Sequence, residues 1–123
     1  MRITGGPEAQ NDKLVQMWAS RQRSYISGKP AQCGHHYYSR HNKLLRWDIK
    51  NIIPLTLEEH IKIHSGKLEY KIKNPCNRMY LSRLANKDYK DYLFENNLTD
   101  NEFVLKCNEK LKEALSAEDT ENI

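Results

Sequence analysis

All five histidines of the chain lie between positions 35 and 64, in the stretch CGHHYYSRHNKLLRWDIKNIIPLTLEEHIKIH that begins at Cys33. His35 and His36 are adjacent. Asn51 follows His36 by fifteen positions, His60 follows Asn51 by nine, and His64 follows His60 by four. A four-residue step stacks two side chains on one face of a helix. That helix carries its own start signal, because Thr56-Leu57-Glu58-Glu59 has the form of a capping box. Two histidines on one turn, with a third brought in by a turn of chain, can hold one metal ion and leave part of its coordination shell open. The neighbouring histidine and Asn51 then remain for chemistry.

The rest of the chain is read around that segment. Residues 1–7 hold Gly5, Gly6 and Pro7 and are expected to form a loose arm. A helix is expected over 8–27, with Leu14, Met17, Trp18, Arg21 and Tyr25 at helical spacing and Trp18 as a core anchor. Gly28-Lys29-Pro30 should end it. Gln32–Tyr38 reads as a strand, Ser39–Lys43 as a loop, and Leu44–Trp47 as a second strand or the return leg of an irregular hairpin. Ile52, Ile53 and Leu55 form an apolar extended segment around Pro54. The helix from Leu57 to His64 should stop at Gly66, with Leu57 and Ile61 on one stripe and Ile63 apart. Lys67–Lys73 is basic and read as extended. Two helical pieces are expected from Met79 to Asn97, with Tyr80, Leu84, Tyr89, Tyr92, Leu93 and Phe94 as core. Thr99 caps a last helix, in which Val104, Cys107, Leu111 and Leu115 share a face, and the tail after Ser116 should fray. The expected fold class is α+β, mostly helical: one domain of 123 residues, with a small ββα unit over 32–66 and C-terminal helices over 76–116.

Charge distribution says more than net charge. Residues 21–50 carry seven Lys/Arg against Asp48 alone, and 61–90 carry eight basic against two acidic residues. Residues 91–123 carry three basic and nine acidic residues. The basic excess flanks the histidine cluster, as a polyanion-binding surface would, although solvated lysines and arginines give the same count. Three cysteines without a CxxC pair speak for a reducing compartment. No run approaches the ~18 to 20 apolar residues of a membrane span. The N-terminal MRITGGPEAQND has no apolar signal core, so a cytoplasmic protein without membrane attachment is expected.

The segment from His35 to His64 resembles the HNH (ββα-metal) endonuclease motif. Its spacing is similar to that of bacterial nuclease toxins of the colicin type. The run GHHYYSRHNKLLRWDIKN resembles phage-encoded HNH proteins of the recombination-nuclease group, which share a GH-aromatic-aromatic-SR opening and an LR-aromatic-D-x-x-N continuation. The resemblance covers about a quarter of the chain. It implies a DNA endonuclease of a phage or its bacterial host, acting in recombination, replication or packaging on duplex or branched DNA. It implies His35, His60 and His64 as ligands of one divalent metal (Zn, Ni, Mg or Mn), His36 as general base, and Asn51 as the residue that orients it. Many family members have Asp where this chain has His35; three histidines make a softer site, closer to zinc or nickel. The family's CxxC zinc knuckles are missing here, which leaves the flanking helices to brace the unit.

Imidazole titrates near neutrality and can deprotonate water, provided a partner on its other nitrogen fixes the tautomer. A backbone carbonyl is the expected partner for His36. Asn51 can bond across the loop with both its donor and its acceptor. Arg40, Arg46 and Lys43 are the candidate phosphate contacts. Other readings stay open at this point. The module can bind nucleic acid without cutting it, it can be a toxin-like nuclease with an inhibitor partner, or it can be a structural zinc site with His41 as fourth ligand. Arg46 can pair with Asp48, and Cys33 can pack in the strand.

Overall fold

The computed structural model describes residues 6–69 and 75–121. Expectations for residues 1–5 and 70–74 fall outside them. The described chain is α+β and mostly helical, with two short antiparallel strands. Its elements run α1 (Pro7–Ser20), β1 (Cys33–His36), a 3-10 turn (Ile49–Asn51), β2 (Ile52–Leu55), α2 (Leu57–His64), α3 (Pro75–Ala85), α4 (Tyr89–Glu95) and α5 (Asp100–Glu121).

Helix α1 starts where Pro7, with no N–H to lose and φ preset, follows an extended Gly6. It ends at Ser20, short of the expected residue 27. The Ser24 hydroxyl accepts from the amides of Ile26 and Ser27, and Gly28 takes φ +75°. These bonds compete with the helical ladder and turn the chain back. Ser24 N–H then donates to the Lys29 carbonyl, and Tyr25 N–H to that of Pro54, so the connection is tied to β2. Trp18 is only half-buried; the fully buried positions of α1 are Asn11, Leu14, Val15 and Ala19.

The second strand is Ile52–Leu55, not Leu44–Trp47. The Leu45 and Asp48 amides donate three residues back, to the Asn42 and Leu45 carbonyls, so 42–48 winds through successive turns. Its side chains still go inward. Leu44 and Trp47 join the larger core with α1 and α5, while Leu45 joins a smaller core with Ile53, Leu55 and Leu81. β2 is likewise buried on both faces, Ile52 toward the first core and Ile53 and Leu55 toward the second.

Strand register pairs Cys33 with Leu55, Gly34 with Pro54, His35 with Ile53 and His36 with Ile52. The Gln16 side chain acts as a surrogate strand for Gly34. Its Oε1 accepts from Gly34 N–H at 2.8 Å and its Nε2 donates to the Gly34 carbonyl at 3.2 Å. The Tyr37 N–H bond to the Asn51 carbonyl makes Gly34–Pro54 a non-hydrogen-bonded pair of the ladder, so both Gly34 groups face away from β2 and Gln16 pairs them. Helix α1 also packs close against Gly34. An added Cβ there would stand 2.6 Å from Ile52 Cγ2 and 2.9 Å from Ala19 Cβ. Gly34→Ala is therefore expected to cost about 1–3 kcal/mol by overpacking, read as a lower urea midpoint with an unchanged slope. An unshifted midpoint would mean that α1 and β1 can part without loss.

Helix α2 carries the expected capping box, with both reciprocal bonds between Thr56 and Glu59. Gly66 follows its end at φ +75°. Ile63 packs against the smaller core, whereas Leu57 and Ile61 are 52% and 68% exposed, so the expected stripe faces outward. Two helical pieces precede α5 as expected, the first starting already at Pro75. Phe94, expected in the core, is 89% exposed, while Leu81 is fully buried. Helix α5 starts with reciprocal Thr99–Glu102 bonds and runs to Glu121, past the expected fraying point. It packs along α1 through a buried polar link: Asn11 Nδ2 donates to the Val104 carbonyl, and Asn108 Nδ2 donates to Asn11 Oδ1. Among the described residues no helix is long and apolar enough to cross a membrane.

Candidate metal centre

Strand β1 ends on His35 and His36, and α2 runs past that end. His60 and His64 stack on one face of α2 with ring centroids 4.5 Å apart, and the His35 ring lies 5.3 Å from each. One ring nitrogen from each of the three falls within 4.8 Å of the others, and His60 Nε2 and His64 Nε2 are 2.9 Å apart. Three nitrogens bound to one ion at about 2.0–2.1 Å stand roughly 3.3 Å apart in tetrahedral geometry, a spacing these separations bracket. This group can hold a metal ion. His41, the alternative fourth ligand, lines the same cavity but is not one of the three.

Electrostatics suit a ligand set. Burial, reinforced by the charges of His60, His64 and His36, pushes His35 down to about 4. Burial and His64 lower His60 as well. At neutral pH these rings are uncharged and keep a lone pair for a cation.

His36 stands apart from the group. Its Nε2 is 2.8 Å from the Arg46 carbonyl. A carbonyl only accepts, so the proton sits on Nε2 and the lone pair on Nδ1. Burial lowers the His36 pKa, with the carbonyl bond working in the opposite sense. Asn51, fully buried, closes the loop between the strands. Its Oδ1 accepts from Tyr38 N–H at 2.9 Å, and its Nδ2 donates to the Tyr38 and Leu45 carbonyls at 3.1 Å each. Cys33 is half-buried beside the smaller core and donates weakly to the Leu55 carbonyl.

The three cations expected to contact phosphate differ in situation. Arg46 is half-buried and grips Asp12 with two bonds, Nε to Oδ1 at 3.0 Å and Nη2 to Oδ2 at 2.6 Å, with Glu8 a further 3.5 Å away. Its partner is thus Asp12, not Asp48. Lys43 pairs with Asp100 at 2.8 Å over the Tyr89 ring, away from the cavity. Arg40 shares Asp12 through one bond of 3.0 Å, its side chain is 59% exposed, and it lines the cavity. The residues that sequence reasoning passed over are Asp12 and Gln16. Their only trace is a four-residue spacing on one face of α1.

The trihistidine group, His36, Asp12, Arg40 and Arg46 all line one open cavity of about 790 Å³. A β-β-α unit with three converging histidines, braced by helices, is the class that fold and site define. Comparison with protein-family models, curated proteins and solved structures finds no significant match.

Proposed function

We propose that the protein is a metal-dependent endonuclease of the HNH (ββα-metal) type that hydrolyses DNA phosphodiester bonds. The observation that carries this reading is one cavity lined both by a trihistidine group able to hold a metal and by a histidine outside that group with its tautomer fixed. In this reading Nδ1 of His36 takes the proton from the attacking water, and Asn51 holds the loop that places it. A divalent ion on His35, His60 and His64 supplies Lewis-acid stabilisation of the scissile phosphate. An all-nitrogen donor set favours zinc or nickel over magnesium or manganese. Arg40, exposed at the cavity, meets the phosphate backbone of duplex or branched DNA.

Nicking of supercoiled plasmid with zinc, nickel, magnesium or manganese, each against a chelator control, tests this. Binding without metal-dependent nicking would leave a metal-stabilised nucleic-acid-binding module. Salt dependence of binding tests the phosphate assignment. Arg40→Ala is expected to flatten the slope of log K against log salt by about one unit. Arg46→Ala and Lys43→Ala should change it less, since Asp12 and Asp100 already neutralise them. An unchanged slope in Arg40→Ala would remove it from the DNA face.

A further inference from the structure

We infer that Asp12, on α1, is the positioning residue of His36, acting through the turn at Arg46 and Trp47. The inference rests on the reading of His36 as general base.

Asp12 Oδ1 accepts from Arg46 Nε at 3.0 Å and from Trp47 Nε1 at 2.9 Å. Asp12 Oδ2 accepts from Arg46 Nη2 at 2.6 Å and from Arg40 Nη2 at 3.0 Å. A carboxylate offers about four lone-pair sites, and here four donors meet them. Two of the three donor residues are consecutive, and the first supplies the carbonyl that His36 Nε2 donates to. One peptide earlier, the Leu45 carbonyl accepts from Asn51 Nδ2. The turn is therefore clamped from α1 by Asp12 and from the 3-10 turn by Asn51, with the Arg46 carbonyl between.

The clamp on the α1 side is strong. A bidentate guanidinium–carboxylate pair fixes direction as well as distance, and the Trp47 ring is buried, so its N–H has few other acceptors. Burial by itself would raise the Asp12 carboxyl. The bonds from Arg46 and Trp47 and the charges of Arg46 and Arg40 more than offset that, and hold it below 3.8. Removing the carboxylate leaves the Arg46 side chain without its main partner and lets the peptide turn. The Arg46 carbonyl then no longer selects one tautomer of His36. Misplacing a catalytic group from a distance can cost on the order of 10²-fold in activity.

A contribution to folding alone would predict a different pattern, and three variants separate the two. The readout is the His36 ring tautomer by ¹⁵N NMR of the metal-free protein, beside turnover and zinc affinity. Wild type should show the Nε2–H form. Asp12→Asn and Asp12→Ala should show a mixture with Nδ1–H, a turnover lower by up to about 10²-fold, and zinc affinity near wild type. Val15→Ala destabilises the same helix from its fully buried side and should keep both tautomer and turnover. If Asp12→Ala fails to fold, Asp12→Asn decides, because its amide oxygen still accepts from Trp47. A wild-type tautomer in Asp12→Asn would overturn the inference, as would an equal tautomer shift in Val15→Ala. A wild-type protein that never cuts DNA would defeat the endonuclease reading instead, and the tautomer would still decide the role of Asp12.

Discussion

Replacing His36 with alanine is expected to lower the cleavage rate by about 10² to 10⁴, with fold and metal binding retained. The His36 ring is no part of the group whose nitrogens lie within 4.8 Å of one another. Its Nε2 is committed to the Arg46 carbonyl, so only Nδ1 can accept a proton. Removing the ring deletes that acceptor and leaves His35, His60 and His64 in place. The lost Nε2–H leaves one carbonyl at a solvent-accessible cavity, where water can replace it, so the fold should survive. Metal content by elemental analysis and single-turnover cleavage are the two measurements. If His36→Ala lost the metal and His35→Ala kept it, base and ligand would have to be exchanged. A wild-type rate in His36→Ala would end its role as base.

How much of this was legible in the sequence depends on the range of each interaction. α2 was readable to the residue, because a capping box, a four-residue histidine step and a terminal glycine all act within one or two turns of chain. That a histidine at the strand end would meet His60 and His64 followed from the same local logic, but the choice of His35 over its neighbour His36 came from the resemblance to the HNH motif. The second strand was misplaced because Leu44–Trp47 and Ile52–Leu55 are both short apolar runs. What separates them is the fate of their carbonyls: those of Leu45 and Arg46 go to Asn51 and His36. The early end of α1 was hidden because Ser24, a neutral residue in a helix, turns its hydroxyl onto the amides of Ile26 and Ser27. Asp12 and Gln16 were the least legible. Each bonds to groups more than fifteen residues away, and in the sequence each reads as an ordinary solvated helix position. The same holds for Arg46, whose partner across the cavity consumes the charge that the sequence offered to DNA.

The metal can be tested without any assay of cleavage. Zinc at a hundredfold excess over its dissociation constant should stabilise the protein by about 2.7 kcal/mol, a rise in Tm on the order of 10 °C for a chain of this size. His35→Ala removes one of three ligands and should abolish most of that rise, and His64→Ala should do the same. The metal-free protein adds a signature in pH. His35 titrates near 4 in the fold against an ordinary 6.5, so between these values the unfolded chain holds more protons than the native one. Stability is therefore complete above 6.5 and falls as pH drops toward 4. His60, lowered by burial and His64, acts in the same sense. His35→Ala should flatten this acid limb in part, leaving the contribution of His60. Metal should restore stability most at neutral pH, where His35 and His60 are already deprotonated, and progressively less toward pH 4, where protons compete for the same nitrogens. If zinc raised Tm equally in wild type and His35→Ala, the ion would be binding elsewhere on the chain. The cavity would then have to be read without a metal.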